Sequence, residues 1–134
     1  ERLEEQRDRL GLGARALLPG WTTDSWSLMA GADLFAFPSR YEGFPNALCE
    51  AMASGLPVIA ADCETGPGEI VRDGVDGVLF GVDDHAALER HLERLMGDTE
   101  ERRRLGEQAR EVTRRFHLDQ ILDRWEQALE RTAR

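Results

Sequence analysis

The run PVIAA, residues 57–61, constrains the fold more than any other stretch, because nothing in it alternates. Successive side chains of a strand point to opposite faces, so a strand with one wet face alternates apolar and polar residues. A continuous apolar run reads instead as a strand buried on both faces, the pattern of a parallel sheet covered by helices. Three further runs read as short strands: ARALLP (14–19), DLFAFPS (33–39, ended by Pro38) and VLF (78–80).

Helical signals lie between and after them. Residues 1–10 read as the last turns of a helix stopped by Gly11 and Gly13. Asp24 or Ser25 can cap a short helix through Ala30. Residues 46–54 place Ala47, Leu48, Ala51 and Met52 on one face at helical spacing. The Gly-, Asp- and Pro-rich segment 62–77 reads as loop with one helical turn near Glu69–Arg72. Three helices are expected after the last strand. The first is capped at Asp83–Asp84 and buries Leu88, Leu92 and Leu95. The second starts at Asp98, with Glu101 completing a capping-box-like start, and buries Leu105, Ala109 and Val112. The third presents Ile121, Leu122, Trp125 and Leu129.

This alternation predicts an α/β fold, a Rossmann-like parallel sheet with flanking helices. Ligands of such sheets sit outside the carboxyl ends of the strands. The loops 39–46 and 62–69 follow consecutive strands and should face one crevice. The length, 134 residues, suits one domain. A front helix and only four short strands predict a domain that lacks its first strands.

Composition excludes several functions. The net charge is −9, every one of the 17 basic residues is arginine, and no basic stripe tracks a phosphate backbone; a nucleic-acid partner is not expected. No apolar run approaches the roughly 20 residues of a membrane span, and the charged start ERLEEQRDRL is no secretory signal. Cys49 and Cys63 lack metal-site spacing and read as reduced thiols. The expected location is cytoplasmic, or the inner membrane face for a full-length protein.

The stretch RYEGFPNALCEAMASG, residues 40–55, carries the chemistry. A helix N-terminus offers free N–H donors to an anion. Pro45 fits the first helical position, Asn46 and Ala47 would supply the donors, and Gly43 lets the backbone approach a phosphate. Glu50 follows Asn46 by one turn, roughly 6 Å along the same face. A carboxylate there repels phosphate but suits a ribose diol. Glu42, on the loop, could accept hydroxyls of a sugar on the distal phosphate. Glu42 also reads as a solvated loop residue, and Glu50 as a surface residue of an amphipathic helix. Elsewhere, Arg40 could offer charge to the crevice, and Glu69 reads either as facing the same crevice, where it could touch a ligand, or as the cap of the Gly68–Val71 turn. Trp21 reads as a buried or half-buried aromatic at a strand end.

The segment SRYEGFPNALCEAMASGLPVIAADCETGPGEIV followed by DGVDGVLF resembles the donor-binding half of glycosyltransferase family 4, enzymes of the glycosyltransferase-B fold. The matching features are Pro38-Ser39, the Glu-Gly-Phe start, Glu50 eight residues after Glu42, Ala51-Met52 and Gly55-Leu56-Pro57-Val58. Pro67-x-Glu69-Ile70 and Asp73-Gly74-x-x-Gly77 match as well. The resemblance covers essentially the whole chain. It implies a C-terminal nucleotide-sugar-binding domain over residues 1–134, retaining transfer from a nucleotide-diphosphate sugar, and no required metal or other cofactor. It gives Glu42 the catalytic position against the donor sugar and Glu50 the ribose. The backbone of Gly43, Phe44, Pro45, Asn46 and Ala47 would hold the phosphates, and Gly20-Trp21 would lie near the base. The Glu-Gly-Phe-Pro-Asn-Ala-Leu variant looks most like bacterial polysaccharide transferases, many of which use UDP-sugars.

The departures set further expectations. The family's Arg–Lys clamp on the diphosphate belongs to an earlier unit that is absent here, as is the domain that carries a glycan or lipid-linked acceptor. Pro45 removes one amide donor. The isolated chain is therefore expected to be inactive, because positive charge on the leaving diphosphate is a large part of catalysis. Its open sheet edge predicts self-association. Two alternatives stand beside this reading: a non-catalytic nucleotide-sugar-binding or interaction module, and a relative of sugar-phosphate synthases and phosphorylases.

Overall fold

A computed structural model describes residues 2–132. Three parallel strands, β1 (Phe35–Phe37), β2 (Val58–Ala61) and β3 (Val78–Phe80), pair in the order β1-β2-β3. Phe35 lies opposite Val58, and Ile59 opposite Val78. Every residue of β2 is buried, as its unbroken apolar run requires.

The two-residue period of β2 divides the core. Val58 and Ala60 point into a cluster with Met29, Leu48, Ala51, Met52, Ile70 and Val112. Ile59 and Ala61 point the other way, to Val78, Phe80, Ala87, Leu95 and Leu105. Helices α1 (Leu3–Arg9), α2 (Ser25–Ala30), α3 (Asn46–Ser54), α4 (Pro67–Ile70), α5 (His85–Gly97), α6 (Thr99–Ala109), α7 (Val112–Arg115) and α8 (Leu118–Thr132) complete the chain. α2, α3, α4 and α7 cover the first face and α5 the second, while α6 serves both, through Ala109 and Leu105 respectively. Each fully buried Leu or Ile stabilises this arrangement by about 1.5–3 kcal/mol. α6 crosses the end of α3 so closely that a Cβ on Gly106 would stand 2.2 Å from the Gly55 carbonyl oxygen.

The aspartate caps are those the sequence indicates, but the reciprocal half of the expected capping box is not formed: the Glu101 carboxylate lies against Arg94 (3.5 Å) and Arg104 (3.9 Å). Asp24 accepts from the Ser27 amide (3.0 Å), Asp84 from Ala87 (2.9 Å) and Asp98 from Glu101 (2.8 Å).

Four expectations are corrected. Residues 14–19 form no strand: a 3₁₀ turn, Gly13–Arg15, runs into irregular chain in which Leu17 is 79% exposed. A strand needs a neighbour for its backbone N–H and C=O groups, and no strand lies beside this segment among the described residues. Helix α6 ends at Ala109, and Val112 belongs to the separate α7. There the Thr113 hydroxyl donates to the Arg110 carbonyl (2.9 Å), a local bond that competes with the helix ladder. Leu88 and Leu92 are only half-buried. Ala47, in the first turn of α3, is exposed.

Among the described residues β1 has a partner on one edge only. On α8, Leu122, Trp125 and Leu129 are exposed and Ile121 is half-buried. No described helix is long and apolar enough to cross a membrane.

Candidate functional site

The chain leaves β1 at its carboxyl end and runs through residues 38–45 into α3. Pro45 is the N-cap of α3, one residue earlier than expected, with its carbonyl accepting from Leu48 (3.1 Å) and Cys49 (3.2 Å). Its ring is buried, while Asn46 and Ala47 are exposed. The Asn46 and Ala47 amides have no hydrogen-bond partner among the described residues. They are open donors at the positive end of a nine-residue helix.

The loop after β2 meets this loop directly. The Thr65 hydroxyl donates to the Glu42 carbonyl. Gly66, at φ +96°, lies where a Cβ would stand 2.7 Å from the Gly43 carbonyl oxygen and 2.9 Å from Pro45 Cδ. The two loops therefore share one crevice, as the strand order implies. Gly66→Ala should cost about 1–3 kcal/mol, since it adds a left-handed strain to a steric clash. Gly74→Ala, at φ +72° with nothing within 4 Å of its Cβ, carries the strain alone. Urea midpoints should place Gly66→Ala clearly below Gly74→Ala; equal midpoints would mean the loops are not in contact.

Glu50 is half-buried and lines an open depression of about 300 Å³ with Trp26, Phe44, Cys49, Ala53, Val112, Thr113 and Phe116. Neither the Glu50 nor the Glu42 carboxylate makes a hydrogen bond or ion pair with another described residue. Burial pushes the Cys49 thiol above the ordinary cysteine range; the nearby Arg115 charge opposes this and the Glu50 charge adds to it. Cys49 therefore stays a protonated thiol at neutral pH and packs rather than reacts.

Phe44 is held by an edge-on contact with Phe116, ring centroids 5.4 Å apart. Phe116 in turn lies under the Arg115 guanidinium, 5.5 Å from the ring centre. Arg115 donates to the Ile70 carbonyl (2.8 Å) and to Asp76 (3.2 Å). Asp76 is completely buried and also accepts from the Arg72 amide (2.7 Å) and Nε (2.6 Å). Asp76, Arg115 and Phe116 support the site, and sequence reasoning missed all three. The only signal was an aspartate inside a turn-like DGVDG.

Arg40 does not offer a free charge to the crevice: its Nε donates to Asp83 at 2.7 Å, which raises its pKa. Glu69 does not cap α4, whose N-cap Gly66 has no side-chain bond. Gly20 lines a different hollow, with Leu3, Leu17 and Leu18, and Trp21 is 87% exposed rather than half-buried. The structure gathers Glu42 to Ala47 and Glu50 on one loop and helix start, without bringing Gly20 or Trp21 to them.

A parallel sheet with helices on both faces and a crevice at its strand ends defines the Rossmann-like C-terminal half of a glycosyltransferase-B fold. A crystal structure of Anabaena HepE in complex with UDP superposes with a TM-score of 0.86 at 32% identity, covering 96% of this chain and 35% of that one. The family described as glycosyl transferases group 1 matches residues 1–112, and the chain belongs to it. Among curated relatives, an exopolysaccharide phosphotransferase of Streptomyces coelicolor is 43% identical over 106 residues, 78% of this chain. A lipopolysaccharide core biosynthesis glycosyltransferase of Rhizobium meliloti is 31% identical over 133 residues, 93% of this chain. The chain spans 11% of the first and 39% of the second.

Proposed function

We propose that this chain is the donor-binding C-terminal domain of a family 4, retaining glycosyltransferase that uses a nucleoside-diphosphate sugar, with UDP favoured. One observation carries the reading. Two unpaired amides, those of Asn46 and Ala47, open between two unpaired carboxylates, Glu42 and Glu50. The amides suit a diphosphate, Glu50 a ribose diol, and Glu42 the transferred sugar, where it is the catalytic candidate. HepE, a structural neighbour at 32% identity, has been crystallised with UDP and with UDP-glucose. The reading needs no metal cofactor, and it gives a glycan or lipid-linked acceptor to a further domain.

A second reading, a nucleotide-sugar-binding module without transfer chemistry, is favoured by Arg40. The one arginine of the site loop is committed to Asp83, so it is not free to neutralise a leaving diphosphate.

Calorimetric titration of the chain with UDP, GDP and ADP tests the donor reading. UDP should bind at least about tenfold more tightly than the others, about 1.4 kcal/mol. Binding of none of the three would remove the donor site from this domain.

A further inference from the structure

We propose a second oxyanion site, in a pocket that shares Phe116 with the depression holding Glu50, for a phosphate or diphosphate that is not the donor's. The site is a pocket of about 340 Å³ lined by Glu69, Arg115, Phe116, Gln120 and Arg124. That volume lies at the lower end of small-molecule sites, about 300–1,000 Å³.

The charge pattern points to an anion. Arg124 makes no hydrogen bond or ion pair with another described residue, and neither does the Gln120 side-chain amide one turn earlier on the same face of α8. Arg90 is unpaired as well; what sets Arg124 apart is that it lines a pocket together with the fixed guanidinium of Arg115. Arg115 is fixed from behind by the Ile70 carbonyl, Asp76 and the Glu69 carbonyl (3.4 Å). Its charge is thus held in place before any ligand arrives, which lowers the ordering cost of binding. A planar guanidinium with free donors suits phosphate oxygens in a bidentate pair.

The position suggests the role. Phe116 is a wall of both this pocket and the depression that holds Glu50, and its edge meets Phe44. Two ligands would therefore share one ring as a wall. If the donor occupies the Glu50 side, as the reading above requires, the anion in the Arg124 pocket is a second one, separate from the donor's diphosphate. Anion binding itself does not depend on that reading. The Glu69 carboxylate also lines the pocket and has no partner among the described residues. It opposes an anion, and its pairing with Arg124 in solution is the competing arrangement.

Inorganic pyrophosphate titrated calorimetrically into the chain, with and without excess UDP, tests this. Pyrophosphate should bind in both cases. Arg124→Gln should weaken it by about tenfold or more, the loss of one charge-assisted contact, and Glu69→Gln should tighten it. Both positions are exposed, so neither change threatens folding. Three results would overturn the proposal: no saturable binding, indifference to Arg124→Gln, or displacement of pyrophosphate by UDP. Displacement would put the anion at the Asn46 and Ala47 amides, as the donor's own diphosphate. If UDP fails to bind at all, the donor reading falls while the Arg124 comparison still decides this one.

Discussion

Asp76→Ala should destabilise the chain by about 3–5 kcal/mol, measured by equilibrium urea unfolding. Asp76 is fully buried, and both of its carboxylate oxygens are used, by Arg72 through its amide and Nε and by Arg115 through Nη1. Removing the carboxylate leaves two guanidinium groups facing each other across the space it filled. The Arg72 and Arg115 side chains are 40% and 27% exposed, so water can partly solvate them, and the lower end of the range is expected. Asp76→Asn keeps the shape and one acceptor and should cost less, about 1–2 kcal/mol. Glu111 pairs with Arg72 from the outer side of the same network and is 37% exposed; its removal should cost about 0–1 kcal/mol. For a domain whose whole stability is of order 5–15 kcal/mol, the alanine variant sits near the edge of folding. A loss under about 1 kcal/mol would show that Asp76 is not the hub of this network. The site should feel the same change, since Arg115 lies over Phe116 and Phe116 braces Phe44.

The features legible in the sequence were those whose cause is local. Burial of β2 on both faces is written as an unbroken apolar run. The start of α2 is written as Asp24, and those of α5 and α6 as Asp84 and Asp98, because a cap is a bond across three residues. The crevice followed from strand order alone. Residues 14–19 misled because their composition is that of a strand, whereas forming one requires a neighbour that no window of local sequence reveals. Asp76 was missed for a related reason. An aspartate in a glycine-rich turn normally faces water, and its burial here rests on Arg72 four residues away together with Arg115, which arrives from 39 residues away. Within the site, Glu42, Asn46, Ala47 and Glu50 were legible as a set because loop and helix geometry fixes their spacing. What packs around Glu50 was not, since Trp26, Phe44 and Phe116 come from three separate segments.

That packing makes Glu50 the side chain on which nucleotide affinity should depend most. Glu50→Ala is expected to weaken UDP by about 10- to 100-fold, or about 1.5–3 kcal/mol, in the same calorimetric titration. The carboxylate has no partner to give up before a ligand arrives, so binding pays little to reorganise it. It is half-buried between aromatic walls, where hydrogen bonds to a charged group are stronger than in water. It also stands one helical turn, roughly 6 Å, beyond the Asn46 amide, about the step from a phosphate to a ribose. Glu50→Gln retains an acceptor oxygen without the charge and should fall between wild type and alanine. The decisive comparison uses UDP lacking both ribose hydroxyls. If Glu50 holds the diol, that ligand should bind wild type and Glu50→Ala equally, because the contact is already absent from the ligand. If Glu50→Ala weakens it as much as it weakens UDP, the carboxylate acts by shaping the depression rather than by holding the ribose. If neither ligand notices the substitution, Glu50 is a surface residue of α3.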